Sequence, residues 1–130
     1  MDDEIKNQGC DPYAKLQIVL NPDGSLTRPE TYPLCPPNPS PSSPGSVPSK
    51  DVPLNPVHKT WIRIYRPPNP SPARTLPVII NFHGSGFICH SAATEPIHKG
   101  CEDLALQIPA LVVSVEYRLA PEHRLPASLR

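Results

Sequence analysis

At 130 residues the chain has room for one ordinary domain, but 21 of those residues are Pro, and fourteen lie between Pro29 and Pro72, far above usual usage. Twelve basic and twelve acidic side chains give zero formal net charge, which removes the electrostatic case for nucleic acid or an anionic membrane surface as a partner. No apolar run in the sequence approaches the roughly 20 residues that span a bilayer, so no membrane span is expected.

The opening Met1-Asp2-Asp3-Glu4 is acidic and lacks the apolar core of a secretory signal. The four Cys, at 10, 35, 89 and 101, form no Cys-x-x-Cys pair, and no His stands at zinc-finger spacing from them. They read as reduced thiols of a cytoplasmic protein, although their even number leaves a disulfide open. Residues 1–12 read as a flexible polar tail. In the segment 13–32, two short runs, 16–20 and 25–28, flank Asn21-Pro22-Asp23-Gly24. Pro presets a turn dihedral and Gly24 supplies a positive one, so this segment is predicted to be a hairpin.

Residues 33–56 form a Pro/Ser-rich connector, densest over 33–50. Proline removes amide donors and blocks helix, so an extended, poorly packed chain is expected there. Pro36-Pro37-Asn38-Pro39 could instead serve as an SH3-type ligand. Thr60-Trp61-Ile62-Arg63-Ile64-Tyr65-Arg66 alternates and is β-branched, which predicts a strand closed by Pro67-Pro68. Leu76-Pro77-Val78-Ile79-Ile80-Asn81-Phe82 is apolar on both faces, as buried parallel strands are. A helix is predicted from 92 to 107, with Ile97, Cys101, Leu104, Ala105 and Ile108 in one stripe, Pro96 in its first turn and Pro109 ending it. Gly100 weakens it by about 1 kcal/mol relative to Ala. Leu111-Val112-Val113-Ser114-Val115-Glu116-Tyr117 is a further buried strand. Strand, helix and strand at these lengths make a right-handed βαβ unit, so the class is α/β with a mostly parallel sheet.

The strand 76–82 runs straight into His83-Gly84-Ser85-Gly86-Phe87, and the strand 111–117 runs into Arg118-Leu119-Ala120-Pro121-Glu122-His123. Together with 18–23, 27–29, 50–56 and Arg124-Leu125-Pro126-Ala127, these segments resemble the plant carboxylesterases, within the hormone-sensitive-lipase-type branch of the α/β-hydrolases. The resemblance implies that 57–130 is the N-terminal part of an α/β-hydrolase fold, incomplete as it stands. It implies hydrolysis of a small-molecule carboxylic ester by a Ser-His-Asp triad, with no metal or cofactor. Family members are much longer, and their triad lies beyond the position matching residue 130. No triad residue can therefore be assigned, and the 130-residue chain alone is expected to be inactive.

Within the matching motif, the amides of Ser85 and Gly86 would be the oxyanion-hole donors, with His83 and Gly84 completing the loop motif. The family pattern is His-Gly-Gly-Gly, so Ser85 is a departure that keeps its N–H but is strained if φ is positive. Glu116 is a second departure, where the family has Asp. Ser85 is not a nucleophile candidate, because Gly-Ser-Gly is not the Gly-x-Ser-x-Gly elbow. By the same resemblance His83 orients the loop rather than acting as a base. Arg118 and Glu122 are expected to pair across the turn after the last strand, and Glu116 to brace that turn. His58, His90, His98 and His123 are too scattered for a metal site. In the family's sheet, the strand 78–82 lies between 112–117 and a strand that would follow. It should therefore be an open edge here, and self-association is expected. Two rival readings remain. One is a non-catalytic, gibberellin-receptor-like binding protein of the same fold. The other is a Pro-rich interaction protein.

Overall fold

Alternating side chains set the register of a four-stranded sheet. The computed structural model describes residues 11–28, 32–70, 72 and 75–130. They fall in two units that divide between Thr31 and Tyr32. The smaller unit holds α1 (Pro12–Lys15) and the strands β1 (Val19–Leu20) and β2 (Leu26–Thr27). β1 and β2 pair antiparallel, Val19 opposite Thr27 and Leu20 opposite Leu26. The turn is the predicted one. Gly24 has φ 82°, and the Asn21 amide donates to the Ser25 carbonyl at 2.8 Å. Most of the expected tail, 1–10, lies outside the described residues.

The larger unit contains β3 (Ser49–Asn55), β4 (Thr60–Tyr65), β5 (Val78–Phe82), α2 (Glu95–Gln107), β6 (Leu111–Glu116) and a single 3-10 turn at Ala127–Leu129. The sheet order is β3-β4-β6-β5. β5 and β6 are parallel, with Ile79 opposite Val112 and Asn81 opposite Ser114, and α2 connects them. The predicted βαβ unit is present. β3 with β4 and β4 with β6 are antiparallel, so the sheet is mixed rather than mostly parallel. The periodicity of 60–65 gives a strand but not its direction.

Two further expectations change. Residues 49–55, assigned by composition to the connector, form β3, with Pro53 opposite Trp61 at the strand's irregular end. Proline is tolerated there because β3 is an edge strand whose outward amides have no ladder partner to lose. The Pro-rich stretch ahead of it is also fixed. The Cys35 amide donates to the Ala93 carbonyl at 2.8 Å, and the Ser49 amide to the Asn38 carbonyl at 2.9 Å. Val47 is buried. Few remaining donors suffice when each has an acceptor.

α2 begins at Glu95, three residues later than predicted, with Pro96 in its first turn. It buries His98, Cys101 and Ala105, whereas Ile108 is half exposed. The core joins Val47, Tyr65, Cys101, Ala105 and Val112, with Ile79 and Leu104 packed against it. Arg63 lies in the same layer, 2 % exposed. It donates to both carboxylate oxygens of Asp51, at 2.7 and 2.9 Å, and to the Cys35 carbonyl at 2.7 Å. Asp51 is its direct cross-strand partner, the position where opposite charges attract most effectively.

Candidate functional site

The loop after β5 carries the unusual backbone. Ser85, Gly86 and Phe87 have φ of 80°, 61° and 63°, and His90 has 70°. Glycine enters that region freely, but a residue with a Cβ pays about 1–2 kcal/mol. A Cβ at Gly86 would meet nothing within 4 Å. The dihedral, rather than crowding by this chain, is what Gly86 provides. Ser85 adopts the strained dihedral anyway, so its segment is held from elsewhere.

Its supports lie at the tip of β6. The Tyr117 hydroxyl donates to the His83 carbonyl. The Tyr117 ring stacks on His83 at 4.3 Å between centroids and 13° between planes, and meets Phe87 at 5.3 Å. The Ala120 amide donates to the Phe87 carbonyl at 2.7 Å. Within the loop the Ser85 carbonyl accepts from the Ile88 amide at 3.1 Å. Among the described residues, the amides of Ser85 and Gly86 donate to no other group. Two adjacent backbone donors without an acceptor, held by packing behind them, are suited to receive an oxyanion.

His83 is buried, with Nδ1 at 3.1 Å from the Gly84 carbonyl. Burial pushes its pKa down. Its contacts are those of a loop-orienting group. Ser85 has no hydrogen bond to an imidazole among the described residues, so a nucleophile-base pair at Ser85 has no geometric support.

Glu116 braces a different element from the one expected. Its Oε2 accepts from Ser91 Oγ at 3.0 Å and from the Ala92 amide at 2.6 Å. It thus holds the segment between the loop and α2, not the turn after β6. The extra methylene relative to Asp supplies that reach. Burial raises its pKa, opposed by the bonds from Ala92 and Ser91. Arg118 donates to the carbonyls of Ala127 and Arg130 and meets His58 Nδ1 at 3.2 Å. It still ties down the turn, through carbonyls that pattern reading does not reveal. Glu122 lies exposed in that turn.

A cleft of about 360 Å³ opens at the C-terminal ends of β5 and β6, walled in part by Phe82, Phe87, Val115 and Tyr117. That is where open α/β sheets bind ligands. A groove of about 330 Å³ between Lys50, Arg66 and Leu111 opens at the other end of β6, away from the loop. Sequence reading named the loop and Glu116. It gave no role to Tyr117, Ser91 or Ala92, although Tyr117 directly follows the strand end and could have been suspected from that position.

Residues 79–130 match the family described as alpha/beta hydrolase fold. The chain is 49 % identical over 125 residues to probable carboxylesterase 8 of Arabidopsis thaliana, covering 96 % of this chain and 36 % of that protein. Over nearly its whole length the chain is similar to the N-terminal third or so of plant carboxylesterases, and its fold is that of the α/β-hydrolases. A second relative is 3-O-acetylpapaveroxine carboxylesterase CXE1 of Papaver somniferum, 47 % identical over 124 residues, with 92 % of this chain and 36 % of that protein covered. Among solved structures, the hyperthermophilic esterase of the archaeon Pyrobaculum calidifontis superposes with a TM-score of 0.52 at 36 % identity, over 62 % of this chain and 25 % of that one. The chain spans about a third of the length of the curated relatives it matches.

Proposed function

We propose that the protein to which this chain belongs hydrolyses carboxylic esters of small molecules. The Ser85 and Gly86 amides supply two oxyanion donors, and a serine nucleophile comes from a part outside these 130 residues. The observation that carries the reading is the pair of unpartnered amides in left-handed backbone at the end of β5. The carboxylesterase relatives support it.

Ester hydrolysis builds negative charge on the carbonyl oxygen as the tetrahedral intermediate forms. Preorganised N–H groups stabilise that charge without reorganising, and losing one donor typically costs about 2.7–4 kcal/mol of transition-state stabilisation. The adjoining cleft, with Phe82, Phe87 and Val115 in its wall, leaves room for an apolar portion of the ester. No Gly-x-Ser-x-Gly occurs in the 130 residues, so on this reading the chain alone does not turn over.

The test uses a fluorophosphonate, which reacts with activated serines. The product of the complete reading frame should be labelled at a serine outside residues 1–130, whereas the 130-residue chain should stay unlabelled. Labelling of Ser85, or no labelling and no esterase activity in the complete protein, would overturn the proposal.

A further inference from the structure

The face of the sheet opposite α2 carries two cations side by side. Ser49, Arg63 and Tyr65 are buried under α2, so alternation puts Lys50, Ile64 and Arg66 on the other face. Lys50 lies opposite Ile64. The Arg66 amide donates to the Pro48 carbonyl at 3.0 Å, which continues the pairing one step past β4. Arg66 is therefore a diagonal neighbour of Lys50. Such neighbours lie about 7–8 Å apart, within reach of long side chains. Both residues are exposed. Among the described residues neither side chain has an ion pair or a hydrogen bond. Asp51, next to Lys50 in sequence, is taken up by Arg63 on the covered face. Two adjacent like charges repel, and an anion carrying more than one charge turns that repulsion into a joint attraction. Both cations line the groove of about 330 Å³, with Pro39 also in its wall.

Pro39 brings a hydroxyl to that groove. Its predecessor Asn38 is pinned to β3 twice. The Asn38 amide donates to Ser49 Oγ and the Ser49 amide to the Asn38 carbonyl, each at 2.9 Å. Ser40 comes no more than about 7 Å further along the chain. It is exposed, in irregular backbone, and Pro41 follows it. A kinase pocket that offers no acceptor after the target hydroxyl selects Pro there, because Pro brings no N–H to leave unsatisfied. Ser43 also precedes a Pro, but it is held in a turn. Its carbonyl accepts from the Ser46 amide at 3.2 Å, and Gly45 has φ 79°. Ser40 is in no such turn.

We propose that Ser40 is a phosphorylation site for a proline-directed protein kinase, and that Lys50 and Arg66 receive the phosphate. The Ser40 hydroxyl oxygen attacks the terminal phosphorus of a nucleoside triphosphate held by the kinase. The bond to the bridging oxygen breaks, and the nucleoside diphosphate leaves with its electron pair. The hydroxyl proton passes to a base of the kinase. The phosphoserine carries about −1.5 to −2 charges at neutral pH and three acceptor oxygens, enough to engage both cations at once. Phosphorylation thereby pins the 39–46 loop to the sheet. The groove opens at the end of β6 away from the loop at 83–87, and nothing in this modification depends on ester hydrolysis.

The complete protein, incubated with a nucleoside triphosphate and a proline-directed kinase, should take up phosphate that fragmentation mass spectrometry places on Ser40. Phosphorus NMR then reads the docking, with the signal assigned by its loss in Ser40→Ala. Neighbouring cations favour the dianion. The second ionisation of the phosphate, ordinarily at about pH 6, should therefore have its midpoint at least ~0.5 pH unit below that of the isolated phosphopeptide 36–46. Lys50→Gln combined with Arg66→Gln should return the midpoint to the peptide's and leave uptake at Ser40 unchanged. Lys50→Gln alone should return part of it. No uptake at Ser40, uptake at Ser43 instead, a midpoint equal to the peptide's, or a lowered midpoint that survives both substitutions would overturn the proposal.

Discussion

The two faces of the sheet are built on opposite terms. The face under α2 carries Arg63, Tyr65, Val112 and Ser114, all almost fully buried. The other face carries Val78, Ile80 and Phe82 on β5, each 58–61 % exposed. The polar face is covered and the aliphatic one is open, so here burial follows what packs on a strand rather than the hydropathy of the strand. The covered face is tolerable because its polar groups answer one another. Arg63 has Asp51, the Cys35 carbonyl and His98 Nδ1, the last at 3.3 Å. Tyr65 meets the same nitrogen at 2.9 Å, and His98 Nε2 reaches Glu102 at 3.3 Å. Because Arg63 can only donate, His98 accepts at Nδ1 and holds its hydrogen on Nε2, facing Glu102.

The largest effect on stability is expected from breaking the covered face. Asp51→Ala strands a buried guanidinium and should cost about 3 kcal/mol, the low end for a buried pair because Asp51 is 34 % exposed. Denaturant midpoints check it, and a loss below ~1 kcal/mol would mean that solvent already screens the pair. Ser85→Gly should stabilise the chain by about 1 kcal/mol by relieving the left-handed dihedral. No gain would show that the loop relaxes in solution. Gly100→Ala, on the exposed side of α2 with open space for its methyl, should add just under ~1 kcal/mol.

A smaller effect is expected from pH. Burial holds His98 below the usual imidazole value. The unfolded chain therefore takes up that proton more readily than the native one. The His98 contribution is full above about pH 6.5 and is lost as the pH falls through the native value. Thermal melts from pH 8 to 5 should show that decline, and His98→Gln should flatten it. Least of all, Ile80→Lys on the open face should change monomer stability by no more than ~0.5 kcal/mol. It should nevertheless reduce the self-association that an apolar edge strand invites, as read by sedimentation velocity. Unchanged association would place the contact on another surface.

Local pattern carried the hairpin, β4, the βαβ unit and the loop motif into view, because each rests on period, β-branching or turn chemistry within a few residues. β3 escaped because Pro53 and its Pro-rich surroundings mask a strand that edge position permits. The direction of β4, the Arg63–Asp51 pair and the carbonyls that hold Arg118 escaped because each is settled by residues distant in sequence. At the site, His83, Gly84, Ser85 and Gly86 were legible as a motif, and the positive φ at Ser85 was anticipated as a condition. The reach of Glu116 to Ser91 and Ala92 was not, since the side chain's length matters only once α2 is in place.

The most direct test of the oxyanion assignment is a structure of the complete protein with a phosphonate bound at its reactive serine. The Ser85 and Gly86 nitrogens should lie about 2.7–3.1 Å from the phosphonyl oxygen. A phosphonyl oxygen held by other donors, with these two amides turned away from it, would contradict the account.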